Sequence, residues 1–313
     1  MALDKTGIDA IQDRYRTFQE RFYTKTFVDP MLNQYMIVTT RDETVLPSAT
    51  VQKGLQSYQA GHHSKGGITF TGRKLQMEQA KFDLTFETGR FSTNYYYSYM
   101  KRNGNNPREF PYQDFIIQLI LDQLYEDYTL DAQWNGKNLG PIANAPNNPG
   151  DIADGFFELL LAMIVAGSVT VTPTGAITSS NAVAKIEQFV WDTIGQQNAR
   201  RKRPHYLYCS SQTYLDYLAD WRDTYGTLTY ATDPFTGNAM VAGTQTVLVP
   251  QDGMDGDALV LARPDNLHVG FDGPPWLELD YSSRQLKVEI DWKFGQQFQS
   301  GLELEVNEWA MPS

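Results

Sequence analysis

His205 and Cys209 are the residues of this chain that come nearest to a nucleophile and its base. That chemistry needs a thiolate within hydrogen-bond reach of an imidazole. The stretch between them, HYLYCS, reads as a strand, which puts both side chains on one face but roughly 13 Å apart at about 3.3 Å per residue. They cannot pair, and Cys209 is expected as a small buried hydrophobe. His62 and His63 could ligate a metal. They lie in the Gly-rich stretch GLQSYQAGHHSKGG, with no H-E-x-x-H and no cysteine pair in the chain, so they are expected simply solvated. The same stretch is not a phosphate loop, because no Lys-Ser/Thr follows a glycine at the required spacing, and no G-x-S-x-G elbow occurs. DGMDGD (252–257) carries three acids, as calcium loops do. Met254 and Gly256 fall at the third and fifth positions, where ligands are needed, so a turn between strands is expected. Glu278 with Asp280, and Glu303 with Glu305, are same-face carboxylate pairs that read as the solvated face of a sheet. No catalytic, cofactor-binding or metal residue is assigned.

The basic run Arg200, Arg201, Lys202 and Arg203 stands out in a chain of formal net charge −11. A pI of about 4.8 argues against a dedicated nucleic-acid binder. The run lies just past a helix expected to end at Gly195–Asn198, where the helix dipole favours cations by about 0.3–1 kcal/mol each. A self-assembling acidic protein would offer it partners on the next copy, and Asp220, Asp223, Asp252 and Asp255 are candidates. DNA contact is the second reading of this loop. TNYYYSYMKRNG (93–104) mixes tyrosines with Lys101 and Arg102, and reads as interface or core before base stacking.

Hydrophobic residues make up 41% of the 313 and charged residues 20%, a globular composition. One cysteine excludes an intramolecular disulfide framework and suits a reducing compartment. The N-terminus lacks the apolar core of a signal peptide, and the longest apolar run, Phe156–Ala166, is too short to span a bilayer. The chain is therefore expected to fold or assemble in the cytosol. Ile11, Tyr15, Phe18 and Phe22 stripe a polar helix over 8–23, which needs a partner surface. MIVTTRDETVLP and ITFTGRKLQMEQAKFDLTF read as the arms of a long hairpin with little core of its own. A long helix follows Pro111 and ends at Asn135-Gly136. NLGPIANAPNNPGD (138–151) is a boundary loop. Beyond it come an apolar helix over 152–166 and a helix capped by Thr178 or Ser180, with Val183, Ile186, Val190 and Ile194 on one stripe. The strand HYLYCS leads to a helix capped by Ser210 or Ser211. The last third is β: TQTVLVP, DALVLA, a hairpin of LELDY and QLKVEIDWKF, and the alternating GLELEVNEW.

In this order the elements resemble the major capsid protein of tailed bacteriophages, the Hong Kong 97-like fold. Hairpin arm and spine helix are carried by ITFTGRKLQMEQAKFDLTF and PYQDFIIQLILDQLYEDYTLDAQWNGK. The axial domain is carried by ITSSNAVAKIEQFVWDTIG with RPHYLYCSSQTYLDYLADWRDTYG. The returning sheet is carried by LVPQDGMDGDALVLARPDNLHVGFDG with VEIDWKFGQQFQSGLELEVNEW. The resemblance is greatest to capsid proteins from phages of Bacteroidetes-type hosts. It implies an α+β fold divided as follows: N-terminal arm 1–35, extended hairpin loop 36–92, peripheral domain with spine helix 93–150, axial domain 151–256, peripheral-domain sheet 257–300, and C-terminal strand 301–313 returning to the axial domain.

The implied function is non-enzymatic. Copies assemble in the host cytoplasm into hexamers and pentamers of an icosahedral virion head enclosing double-stranded DNA, without cofactor or membrane. Many members of the family carry a long scaffolding segment ahead of the arm, whereas here only about 35 residues precede the hairpin. A full gene product would take its scaffolding from a separate protein, and a processed chain would not be expected to keep its initial Met. The resemblance also implies a portal as partner. Inter-subunit contacts are expected at Arg200, Arg201, Lys202, Arg203, Tyr15, Phe18, Phe22, His62, His63 and Lys65. Two other readings stay open: an encapsulin-like nanocompartment shell with protein cargo, and a soluble hydrolase using carboxylates of the C-terminal sheet.

Overall fold

The computed structural model describes residues 35–52, 55–58, 60–87, 119–120, 122–140, 148–195, 203–226, 232–234, 237–254, 256–272, 276–282 and 285–308. Within them the period-two stretches are strands and the period-3.6 stretches helices. The strands are β1 (Ile37–Thr39), β2 (Glu43–Val51), β3 (Ile68–Gln76), β4 (Glu78–Glu87), β5 (Thr170–Val171), β6 (His205–Ser210), β7 (Thr246–Gln251), β8 (Leu259–Ala262), β9 (Leu267–Phe271), β10 (Trp276–Ser282), β11 (Gln285–Phe298) and β12 (Glu305–Val306). The helices are α1 (Phe156–Val165), α2 (Ala182–Val190) and α3 (Ser211–Tyr225).

β11 is the axis of the first sheet. β4 runs antiparallel along one of its edges, while β10 and then β9 run antiparallel along the other. β1 adds in parallel outside β9. Val288, Ile290, Phe294 and Phe298 of β11 are buried, and Lys287, Glu289 and Asp291 are exposed. That is the pattern of a strand with one covered face.

The second sheet has the order β5-β12-β8-β6-β7, with β6 and β7 parallel and joined through α3. Both its faces are covered. Tyr208, Val249, Val260 and Val306 face the large core shared with α1 and the first sheet. Leu207, Cys209, Leu248 and Leu261 face α2, α3 and their satellites Ile186, Val190 and Tyr217. Burial on both faces explains why HYLYCS and ALVLA are nearly continuous apolar runs. Ser210 caps α3 by accepting the Thr213 N–H at 3.1 Å, and Gly226 closes it at φ +64°.

The long helix enters the described residues at its C-terminal end. Its last turn widens to a π-helix, Asp127–Ala132, with the Gln133 N–H bonded to the Tyr128 carbonyl. Buried Tyr128 meets Phe271, Trp292 and Phe294 edge-on. Trp134, fully buried beyond the turn, donates to Gln251 Oε1. Residues 111–118, the helix expected over 8–23 and the aromatic stretch 93–104 lie outside the described residues.

Four local expectations are corrected. MIVTTRDETVLP is two strands, because the chain turns at Arg41-Asp42. There the Asp42 carbonyl takes the Met77 N–H and its carboxylate takes Lys293 at 2.8 Å, sending β1 to β9 and β2 to β3. The apolar helix starts at Phe156, not at 152, with Gly155 as its N-cap residue. Neither Thr178 nor Ser180 caps α2. Asn181 is the cap residue, but its side-chain oxygen accepts the Thr178 N–H rather than an N–H of the helix, and buried Asp220 of α3 accepts the Val183 N–H at 2.8 Å. Among its described residues, 301–308, GLELEVNEW forms the two-residue β12 rather than one long strand, because Gly301–Glu303 make a turn first.

Candidate functional site

β2 and β3 pair antiparallel from Glu43↔Gln76 to Val51↔Ile68, a two-stranded ribbon about 30 Å long at ~3.4 Å per residue. The register puts Val45, Pro47, Ala49, Ile68, Phe70 and Gly72 on one face, and Ser48, Thr69, Thr71 and Arg73 on the other. The apolar face is uncovered: Val45, Ile68 and Phe70 are 64, 60 and 78% exposed. Among the described side chains of this segment only Leu46, Leu75 and Met77 are buried, toward the root. A ribbon of this kind is marginal alone, and an apolar face left open marks an interaction surface.

The root sits on a saddle in the first sheet. Gly270 of β9 and Gly295 of β11 are directly opposite each other in the ladder. A Cβ on Gly270 would lie 2.7 Å from Leu75 Cδ2 and from Met77 Cε, and one on Gly295 only 2.3 Å from the Gln76 carbonyl oxygen. Gln297 Nε2 donates to the Lys74 carbonyl at 3.1 Å and Gln299 Nε2 to the Pro47 carbonyl at 2.8 Å, so each ribbon strand is held once.

At the far end, Leu55 and Tyr58 are each 95% exposed. His63 lies within the tip's own bonds: Gln56 Nε2 donates to its carbonyl, and its Nε2 is 3.3 Å from the Ala60 carbonyl. Lys65 Nζ donates to the Leu55 carbonyl at 3.5 Å. His62 is exposed beside them. Among the described residues no three His, Cys, Asp or Glu side chains converge to hold a metal ion.

Of the basic run, only Arg203 is among the described residues; Arg200, Arg201 and Lys202 lie outside them, as do Tyr15, Phe18 and Phe22. Arg203 Nη1 pairs with Glu303 Oε1 at 3.0 Å in its own chain. Glu303 also faces His205 Nε2 at 3.7 Å and Arg263 Nε at 4.0 Å, and Arg263 pairs with Asp265 at 2.7 Å. Glu303 is therefore no solvated sheet residue, since its side chain is 12% exposed. Among the described residues it is the one non-glycine at positive φ, +58°. Nothing in the alternation of GLELEVNEW signalled this. Glu278 and Asp280 lie opposite Glu289 and Lys287 in the β10–β11 ladder.

Of the acids considered as partners of the basic run, Asp220 is buried as the cap of α2 and is not available to another copy. Asp223 pairs with Arg222, Asp252 accepts from Ser211 Oγ, and Asp255 lies outside the described residues. His205 and Cys209 are both fully buried, and His205 Nδ1 meets the Arg203 carbonyl at 3.0 Å. Burial pushes the Cys209 thiol up to about 12, so it holds its proton at neutral pH and packs as an apolar group.

No protein-family model matches the sequence, and no curated protein does. The fold has counterparts among solved structures. It is similar to a chain of the satellite phage P4 procapsid, with a TM-score of 0.56 and 13% identity over 98% of this chain and 92% of that one. It is also similar to a chain of the capsid of an empty GTA particle, with a TM-score of 0.52 and 10% identity over 88% of each chain. The chain thus has a mixed α/β fold similar to that of phage capsid chains.

Proposed function

We propose that this chain is a structural, non-enzymatic major capsid protein. Copies of it form the hexamers and pentamers of an icosahedral phage head that encloses double-stranded DNA. The observation that carries the reading is the ribbon: its apolar face finds no cover among the described residues, and a neighbouring copy would supply that cover. Fold likeness to a procapsid chain over 98% of the residues supports it. Many such contacts, each modest, give a stable shell because each is closed intramolecularly once its neighbours are placed.

The finer parts of the reading rest on the order of the sequence elements. They are the Hong Kong 97-like class, a Bacteroidetes-type host, the arm, hairpin, peripheral and axial divisions, and assembly in the host cytoplasm with a separate scaffolding protein and a portal. The contacts assigned to the tip histidines, Lys65 and the basic run belong to the same reading.

Light scattering and negative-stain microscopy of the purified protein, alone and with its scaffold, test it. Closed shells or rings of five or six are expected, and nucleic acid inside shells recovered from infected cells separates a virus head from a protein-filled compartment. A monomer that never assembles under either condition overturns the reading.

A further inference from the structure

A ribbon that reaches a neighbour must leave its own body in a fixed direction. Two strands about 30 Å long have no core with which to hold that direction themselves. Among the described residues its closest backbone contact with the body is at the root, where Leu75, Gln76 and Met77 cross the Gly270–Gly295 pair. Glycine inside a strand weakens it, and it recurs where another backbone approaches closely. Here the approach differs at the two positions. Above Gly270 are the ends of two side chains, whereas above Gly295 are the Gln76 carbonyl oxygen at 2.3 Å and the Met77 Cα at 3.2 Å. Gln297 and Gln299, next along β11 and just beyond it, each use an amide N–H to hold a carbonyl of one ribbon strand. Two neighbouring strands thus provide the depression in which the root lies, and β11 with the residue just beyond it provides a clasp on either ribbon strand.

We propose that Gly270, Gly295, Gln297 and Gln299 form a seat that aims the ribbon, and that they are positioning residues for assembly. The inference rests on the capsid reading and deepens it. A side chain at 295 lifts the backbone of the root. A rise on the order of 1 Å across the roughly 7 Å that three residues span becomes about 3 Å at Thr69, some 24 Å along the strand at ~3.4 Å per residue. Lifting at 270 meets only side-chain ends and gives a smaller change. Removing both amides leaves the mean direction in place and widens its spread.

The test is a pair of spin labels, one on Thr69→Cys of the exposed ribbon strand and one on Val165→Cys, 81% exposed at the end of α1. Cys209 is fully buried and remains unlabelled. The inter-label distance is expected to shift in Gly295→Ala, to shift less in Gly270→Ala and to broaden in Gln297→Leu/Gln299→Leu. Closed particles should be lost in the same order, while the melting temperature of the double glutamine variant stays near that of the parent. If Gly295→Ala does not fold, the glutamine pair, whose side chains are half-buried, decides alone. Unchanged distances in the variants overturn the seat. Altered distances with an undiminished particle yield overturn its part in assembly. If the parent never assembles but the distances move as described, the seat stands and the capsid reading falls.

Discussion

Replacing Val45, Ile68 and Phe70 together by threonine separates what the ribbon does for its own chain from what it does for a neighbour. Threonine keeps the β-branched preference for a strand while exchanging a methyl of Val45 for a hydroxyl and removing most of the apolar area of Ile68 and Phe70. The three residues are 64, 60 and 78% exposed in the single chain. Burying such a side chain completely contributes about 1.5–3 kcal/mol. Covering the part now open contributes about 1–2 kcal/mol at each, or about 3–6 kcal/mol per ribbon. Threonine keeps one methyl at each site, so about 2–4 kcal/mol of this is lost, and at about 1.4 kcal/mol per decade the contact constant falls by about one to three decades. Because these contacts are absent from the isolated chain, its unfolding free energy should change by less than about 1 kcal/mol. Urea unfolding of the monomer and light scattering across a concentration series read the two quantities. Particles appearing at the parent's concentration would refute the reasoning. So would a large loss of monomer stability, which would mean that the chain covers this face itself.

Glu303→Gln removes the charge that holds Arg203 and faces Arg263, and is expected to cost about 1–3 kcal/mol in urea unfolding, as for a buried polar group losing its partner. Asp220→Ala strips the α2 N-terminus of its acceptor, with an expected cost of about 1–2 kcal/mol in the same measurement. Glu308 gives a pH signature. Burial pushes its carboxyl upward, but the N–H groups of its own backbone, Thr174 and Gly175, with nearby Lys185, outweigh burial and hold it below the usual glutamate range. With the folded value depressed, its contribution is present above the unfolded value and lost as pH falls through the folded one. Stability should drop on acidification through that window, and Glu308→Gln should flatten the drop in a series of melting curves.

The elements that depend on their own residues were legible. HYLYCS shows its strand, Ser210 its cap, and Val288, Ile290 and Phe294 the covered face of β11, because period and capping are local properties. What the sequence hid are relations between distant segments. Asp220 looks like any acid of a half-exposed helix, and only the packing of α3 on α2 brings it to the Val183 N–H. Glu303 fits an alternating pattern, yet a turn carries it to Arg203 and Arg263, 100 and 40 positions away. β8 is followed closely by β9, yet it pairs with β6 and β12 in the other sheet, and no local pattern announces that. The ribbon was visible as a hairpin. Its seat was not read, although glycines inside LHVGF and DWKFGQQF, where a strand has no local use for them, were the available signal.

The pairing of β4 with β11 also sets an order of events during synthesis. Glu87 lies beside Gln285 and Glu78 beside Phe294, so nearly 200 residues or more separate partners in this ladder. A ribosome emits the ribbon strands long before the strand that carries Gly295, Gln297 and Gln299. Contacts of such separation form late and slowly. Until β11 emerges, the apolar ribbon has no fixed bearing, and a nascent chain cannot offer a neighbour a correctly directed arm. On the proposed capsid reading, chains held together on one polysome would thereby be kept from joining while unfinished, and competence to assemble would arrive as a late product of folding.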